Sequence, residues 1–158
     1  MVALEEYLKL QSRCLPATIL AVSKLQSNAK IKTLYSYGHR DFAENYVQEF
    51  LKKHDELKNL EGLRWHFIGH LQTNKVKQIT GLTSLIHSVD SLRLAREVSK
   101  QAQKKQVIQK ILIQVNVAGE NSKEGFDENQ LTQDWSELTS LPGIRIEGFM
   151  TMPPLAEE

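Results

Sequence analysis

Short apolar runs alternate with helical patterns along the whole chain, and this alternation limits the possible folds more than any other feature. Repeated strand and helix pairs are typical of β/α units built around a parallel sheet. Six such units predict either an open sheet or most of an eight-stranded barrel. The predicted strands are residues 19–23, 40–44, 64–69, 85–89, 110–117 and 144–150. The predicted helices are residues 2–13, 29–37, 46–58, 73–79, 91–105 and 128–141.

Length and composition predict a single globular domain over residues 1–158. The net charge of +1 argues against nucleic acid as a partner, because binding to a phosphate backbone needs a concentrated excess of Lys and Arg. The sequence has neither a long apolar run nor a secretion signal, so we expect a cytoplasmic protein without a membrane partner. Cys14 stands alone, which excludes an internal disulfide and a cysteine-rich metal site.

One lysine ends the first predicted strand. Lys24 follows the apolar run at residues 19–23, and buried strands of α/β folds present their chemistry at this edge. A lysine there can be desolvated enough to lose its proton and condense with an aldehyde, which is how pyridoxal phosphate is held covalently on proteins. The alternative is a solvated lysine after a strand, since most lysines are exposed.

Five further sequence blocks occur in an ordered series. They are DFAENYVQE (41–49), WHFIGHLQTNK (65–75), IHSVDS (86–91), NSKEG (121–125) and GFMTMPP (148–154). Together with Lys24 they resemble the pyridoxal-phosphate homeostasis protein family, relatives of the alanine racemase N-terminal domain. The resemblance extends over residues 19–154. It implies a (β/α)₈ TIM-barrel type of α/β fold, of which this chain has the first six β/α units, with the cofactor at the carboxyl ends of the strands.

The resemblance also implies roles for two lysines. Lys24 matches the lysine that holds pyridoxal phosphate through a reversible Schiff base. Lys123, in the segment Ser-Lys-x-Gly, matches a second amine near the site or a relay in cofactor release. Its alternative is a flexible surface lysine.

Three other candidates depend on their positions in the predicted elements. Asn45 follows the second strand, where it could bind the substituents of the cofactor ring, cap the next helix, or do both. His70 at the end of the third strand is better placed for cofactor contact than His66, which is interpreted as a core histidine with its hydrogen bonds satisfied. Met150 ends the sixth strand and offers apolar contact to a ring, although a plain core role needs no cofactor.

Three functions fit these residues. The first is a non-catalytic carrier that sequesters pyridoxal phosphate and delivers it to apoenzymes, and it is the one we prefer. The second is an amino-acid racemase, which needs a second acid/base group on the opposite face of the substrate. The third is a metal-dependent hydrolase using His66, His70 and His87 with Asp90, although their spacing fits no established metal motif.

The sequence departs from the family at two places. The family continues for two more strands after Pro154 and there carries the loops that receive the cofactor phosphate, whereas this chain ends at Glu158. A truncated product, a fragment and a chain completed by a partner all fit this difference. We expect such a chain to bind the phosphate ester more weakly than a longer one, and phosphate-free pyridoxal almost equally well. In addition, Leu25-Gln26-Ser27 stands where the family has threonine followed by proline.

Overall fold

The computed structural model describes residues 3–117 and 124–152. The chain divides into two compact units, residues 1–65 and 66–158. In both units strands alternate with helices, and the paired strands run parallel, which confirms the predicted α/β class. Within the described ranges, not one helix combines the length and apolar character that crossing a bilayer requires.

The first unit contains three helices and two complete strands. In chain order it has α1 (Leu4–Cys14), β1 (Ala21–Val22), α2 (Asn28–Ser36), β2 (Asp41–Glu44), α3 (Val47–Glu56) and the start of β3 (Arg64–Phe67). Parallel pairing sets Ala21 opposite Phe42 and Val22 opposite Ala43. All four residues of β2 are buried.

An aromatic cluster forms the core of this first unit. Trp65 lies 5.9 Å from the ring of Phe50 and 6.2 Å from that of Phe42, and all three side chains are buried. The hydroxyl of Tyr7 on α1 lies 3.0 Å from Nδ1 of His39, which in turn packs edge-on against Phe42. Packing of this kind stabilises by the apolar area removed from water and by the edge-to-face geometry of the rings. The aromatic cluster packs β2 and α3 together, and these two elements lie next to the site around Lys24 that is described below.

The second unit continues the alternation. After the end of β3 it has a 3₁₀ turn (Thr73–Lys75), α4 (Val76–Ile79), β4 (Leu85–Val89), α5 (Leu92–Lys104), β5 (Gln109–Gln114), α6 (Glu128–Ser140) and β6 (Ile144–Met150). The strands β3 to β6 pair in chain order. Helix α5 begins at the N-cap Ser91, whose hydroxyl accepts the N–H of Leu94, and it buries Leu94, Ala95, Val98 and Ala102 on one face.

Four strands are shorter than the sequence predicts: the second begins at Asp41 instead of residue 40, the third ends at Phe67 instead of residue 69, and the first and fifth differ most. The strand predicted at residues 19–23 is only Ala21–Val22, although the N–H of Ser23 still donates to the carbonyl of Ala43. The strand predicted at residues 110–117 ends at Gln114, because its partner β6 ends opposite at Met150. Strand length here depends on the neighbour that supplies the ladder, which apolar runs do not reveal.

Candidate functional site

Lys24 lies in a tight turn at the carboxyl end of β1. The turn spans residues 23–26 and is closed by the N–H of Gln26 donating to the carbonyl of Ser23 at 3.0 Å. Its third residue, Leu25, has a φ of +59°, a conformation that L-residues other than Asn and Asp adopt rarely. The side chain of Lys24 is exposed, so the desolvation considered from the sequence is not found, and the structure agrees with the alternative of a solvated lysine after a strand. Its ammonium makes no hydrogen bond or ion pair with any described residue. We call residues 23–26 the Lys24 turn.

A buried ion cluster lies against the Lys24 turn. Lys53 on α3 donates to the carbonyl of Ser23 at 2.6 Å and to carboxylate oxygens of Glu44 and Glu49 at 2.7 Å each. Glu44 is fully buried and also accepts the hydroxyl of Ser23 at 2.7 Å. Glu49 also accepts the N–H of Leu25 at 2.7 Å. We call Lys53, Glu44 and Glu49 the Lys53 network.

The environment of Glu49 favours its ionised form. Partial burial works to raise its pKa, but the hydrogen bonds from the Lys53 ammonium and from the N–H of Leu25 outweigh burial and lower the pKa below its ordinary value of 4.5. Glu49 is therefore a carboxylate at neutral pH, able to accept both bonds at once.

Asn45 follows β2 directly, in the same unit as Lys24. Helix α3 has Tyr46 as its N-cap and no side-chain capping bond, so the capping role considered for Asn45 is not found. Its Oδ1 atom is buried and has no hydrogen-bond partner among the described residues. A buried amide oxygen left in this state is uncommon in proteins and indicates a group that a ligand or water satisfies.

His70 lies in the second unit with two carboxylates. Its Nδ1 is 2.7 Å from Glu124 and 3.7 Å from Asp90, and a ligand atom from each of the three residues lies within 4.8 Å of the other two. The His70 and Glu124 side chains are half-exposed, at 52% and 47%. A histidine with two carboxylates is a donor set that a divalent cation accepts, and a protonated imidazole between two carboxylates has the same geometry.

His66 and His87 form a separate pair on β3 and β4. Nδ1 of His66 lies 2.8 Å from Nε2 of His87. The metal set considered from the sequence, which combined these two with His70 and Asp90, is therefore not assembled among the described residues. Burial, and then the positive charge that His66 can carry, lower the pKa of His87 from 6.5 to about 4.

We expect this pair to make stability depend on pH. His87 has its ordinary pKa near 6.5 in the unfolded chain, so the unfolded chain binds a proton there before the folded protein does. The contribution of His87 to the free energy of unfolding is therefore complete above pH 6.5 and is lost as the pH falls towards 4. The shift corresponds to roughly 3 kcal/mol at full strength, and we expect about 2 kcal/mol because solvent partly screens the half-buried ring. Urea unfolding of the wild type and of His87→Gln between pH 7 and 4.5 measures it. The variant should lose part of the pH slope, whereas His54→Gln should keep it; an unchanged slope in His87→Gln contradicts the assignment.

Of the remaining two candidates, Met150 and Lys123, only Met150 lies among the described residues. Met150 is the last residue of β6 and pairs with Gln114, and its carbonyl accepts the N–H of Val115 at 2.9 Å. Its side chain is half-buried, at the carboxyl end where the sequence places the site. Lys123 lies outside the described residues.

Sequence reasoning missed the Lys53 network and the contact of Glu124 with His70. Lys53 and Glu49 are four residues apart on α3, a spacing that indicates an ordinary surface ion pair, and no pattern shows that the pair is buried. Glu124 is the glutamate of the NSKEG block itself, so its place within a family motif was the one signal available.

Comparisons with known proteins show the family of this chain. Residues 3–158 match the family model described as alanine racemase, N-terminal domain. The pyridoxal phosphate homeostasis protein of Aquifex aeolicus is 45% identical over 141 residues, which cover 89% of this chain and 61% of that protein. The chain thus spans about three fifths of the length of this relative.

Solved structures show the fold. PipY of Synechococcus elongatus PCC7942, solved with PLP bound, has 34% identity and a TM-score of 0.91, covering 98% of this chain and 72% of PipY. An alanine racemase of Clostridium difficile 630 has 18% identity and a TM-score of 0.70, covering 94% of this chain and 39% of the racemase, a similarity of fold alone. These similarities confirm the predicted fold class, the TIM-barrel type with six β/α units. Because the family model matches residues 3–158, the chain belongs to the alanine racemase N-terminal domain family.

Proposed function

We propose that this chain is a non-catalytic carrier of pyridoxal phosphate and holds the cofactor as a Schiff base on Lys24. One observation carries the proposal: the amine of Lys24 is exposed and unpartnered among the described residues, on a tight turn at the carboxyl end of β1. The 34% identity to PipY, a protein solved with PLP bound, adds support.

The residues of the first unit fit the chemistry of this cofactor. Pyridoxal phosphate supplies an aldehyde, to which a neutral amine adds with loss of water and formation of a C=N bond that water reverses. Lys24 can supply that amine once its ammonium has given a proton to the solvent, to which it is exposed, since no described group holds the ammonium. Asn45 supplies a buried amide oxygen, Oδ1, which lacks a partner in the described part of the chain and is suited to a polar substituent of the ring or an ordered water.

The other candidate residues have supporting roles in this proposal. His70, held by Glu124 and Asp90, offers a polar contact at the end of β3. Met150 offers apolar contact at the end of β6, and Lys123 remains the proposed second amine. None of these roles requires a change of covalent bonds in a substrate.

A carrier is preferred to a racemase for a chemical reason. Binding and releasing an aldehyde needs one amine, whereas racemisation needs two acid/base groups on opposite faces of the substrate. Relatives with 45% and 41% identity are named pyridoxal phosphate homeostasis proteins, which supports a non-enzymatic role. We further propose that the recipients are apoenzymes that need this cofactor and that delivery takes place in the cytoplasm.

A spectroscopic titration combined with a chirality assay tests the proposal. Addition of pyridoxal phosphate should produce a visible absorption band that borohydride removes, whereas pyridoxine phosphate, which lacks the aldehyde, should produce none. Incubation with L-alanine and the cofactor should yield no more D-alanine than free cofactor does. Absence of the band would refute the carrier, and protein-dependent formation of D-alanine would establish an enzyme.

A further inference from the structure

A buried lysine lies directly beside the turn that carries Lys24. The side chain of Lys53 is only 7% exposed, and burying an unpaired ammonium is strongly unfavourable. Its three bonds, to the carbonyl of Ser23 and to the carboxylates of Glu44 and Glu49, are 2.6–2.7 Å long. An ammonium has three protons, so these bonds use all of them. Lys53 therefore presents no free electron pair to an aldehyde and is not a competing site of attachment.

The Lys53 network forms hydrogen bonds with the residues on both sides of Lys24 in the Lys24 turn. Before it, the carbonyl of Ser23 accepts from Lys53 and the hydroxyl of Ser23 donates to Glu44. After it, the N–H of Leu25 donates to Glu49. The peptide group before Lys24 is thus bound by Lys53 and the one after it by Glu49, while the side chain of Lys24 itself is left exposed.

The turn needs this support because its conformation is unfavourable. Leu25 has a φ of +59°, and its side chain is 79% exposed, so little burial of apolar area offsets the strain. Two hydrogen bonds stabilise the turn against this strain. They are the closing bond from the N–H of Gln26 to the carbonyl of Ser23 and the bond from the N–H of Leu25 to Glu49. Without Glu49 we expect Leu25 to relax to negative φ, which would redirect Lys24.

We propose that Lys53, held by Glu44 and Glu49, is a positioning residue that fixes the orientation of Lys24 towards the aldehyde of its ligand. The inference rests on the proposed function, since it assigns the network a role in the reaction of Lys24. Orientation matters because an amine and an aldehyde react quickly only when they are held in a productive geometry.

Two variants and one matched control test the inference. Glu49→Ala removes the acceptor of the Leu25 N–H from a half-buried position, and Lys53→Met removes the ammonium while keeping its length. Glu56→Ala is the control, because Glu56 lies on the same helix and accepts the side chain of Asn28 at 2.6 Å but has no hydrogen bond to a residue of the Lys24 turn. If Lys53→Met does not fold, Glu49→Ala carries the test.

Three measurements are made on each protein. Amide hydrogen exchange without cofactor reports the bond of the Leu25 N–H. Absorbance after addition of pyridoxal phosphate gives the rate of adduct formation, and peptide mapping after borohydride reduction gives its location. We expect Glu49→Ala to lose protection at Leu25, to form the adduct at Lys24 about tenfold to a hundredfold more slowly, and to spread the label to exposed lysines such as Lys52. Glu56→Ala should match the wild type in all three.

The outcomes separate the inference from the proposed function. A folded Glu49→Ala that labels Lys24 at the wild-type rate overturns the inference and leaves the proposed function intact. Loss of protection at Leu25 with an unchanged labelling rate also overturns it, because the network would then be structural only. A wild-type protein that forms no adduct at Lys24 overturns the proposed function and the inference together.

Discussion

Replacement of Lys24 by alanine is expected to remove nearly all specific attachment of pyridoxal phosphate. Lys24 is exposed on a hydrogen-bonded turn and has no partner among the described residues, whereas Lys53 is buried with all three protons bound. We expect other surface lysines to react with the aldehyde more slowly, because they lie outside the proposed cofactor site. Borohydride reduction followed by peptide mapping measures the label at each lysine.

Two companion variants make the Lys24 experiment specific. Lys24→Arg keeps the positive charge but has no amine that condenses with an aldehyde, so it should behave like Lys24→Ala. Lys32→Ala removes an exposed lysine from α2 and should leave the label on Lys24 unchanged. Labelling spread evenly over surface lysines in the wild type, and unchanged in Lys24→Ala, would show that Lys24 is not the attachment site.

Hydrophobic periodicity predicted the elements that pack most simply. The predicted bounds of β4 and β6, residues 85–89 and 144–150, agree with the structure. Both strands are flanked by clear breaks in the pattern, such as the Pro-Gly pair before β6. The position of Lys24 at the carboxyl end of the first strand could also be predicted, because the apolar run ends there, although Val22 of this strand is exposed and not buried as the run suggested.

The geometry around Lys24 could not be predicted from the sequence pattern. Leucine disfavours positive φ, so no residue preference signals the turn at Leu25, which is held by its closing hydrogen bond and by the tertiary contact with Glu49. Lys53 belongs to a helix whose charged residues indicate a solvated face, and its burial depends on the carboxylate that β2 supplies. Long-range pairing of this kind leaves no local pattern in the sequence.

The glycine of the NSKEG block is expected to be essential for stability. Gly125 has a φ of +126°, and a Cβ added there would lie 2.8 Å from the backbone N of Asn116 and 3.0 Å from the carbonyl carbon of Val115. Backbone atoms cannot move aside as a side chain can. They also carry the bonds of this segment, in which the N–H of Asn116 donates to the carbonyl of Phe126 at 2.9 Å.

Gly38 offers a matched control for Gly125. It also has a positive φ, of +92°, but no described atom lies within 4 Å of its added Cβ. Gly38→Ala should therefore cost about 1 kcal/mol from backbone strain alone, and Gly125→Ala about 3 kcal/mol or more from strain and overlap together. Urea unfolding of both variants measures the difference. The difference between the two variants isolates the cost of the steric overlap. Equal losses of stability would mean that Gly125 is needed only for its backbone conformation. The expected larger loss in Gly125→Ala would mean that Gly125 is needed for the close contact between the end of β5 and the segment before α6.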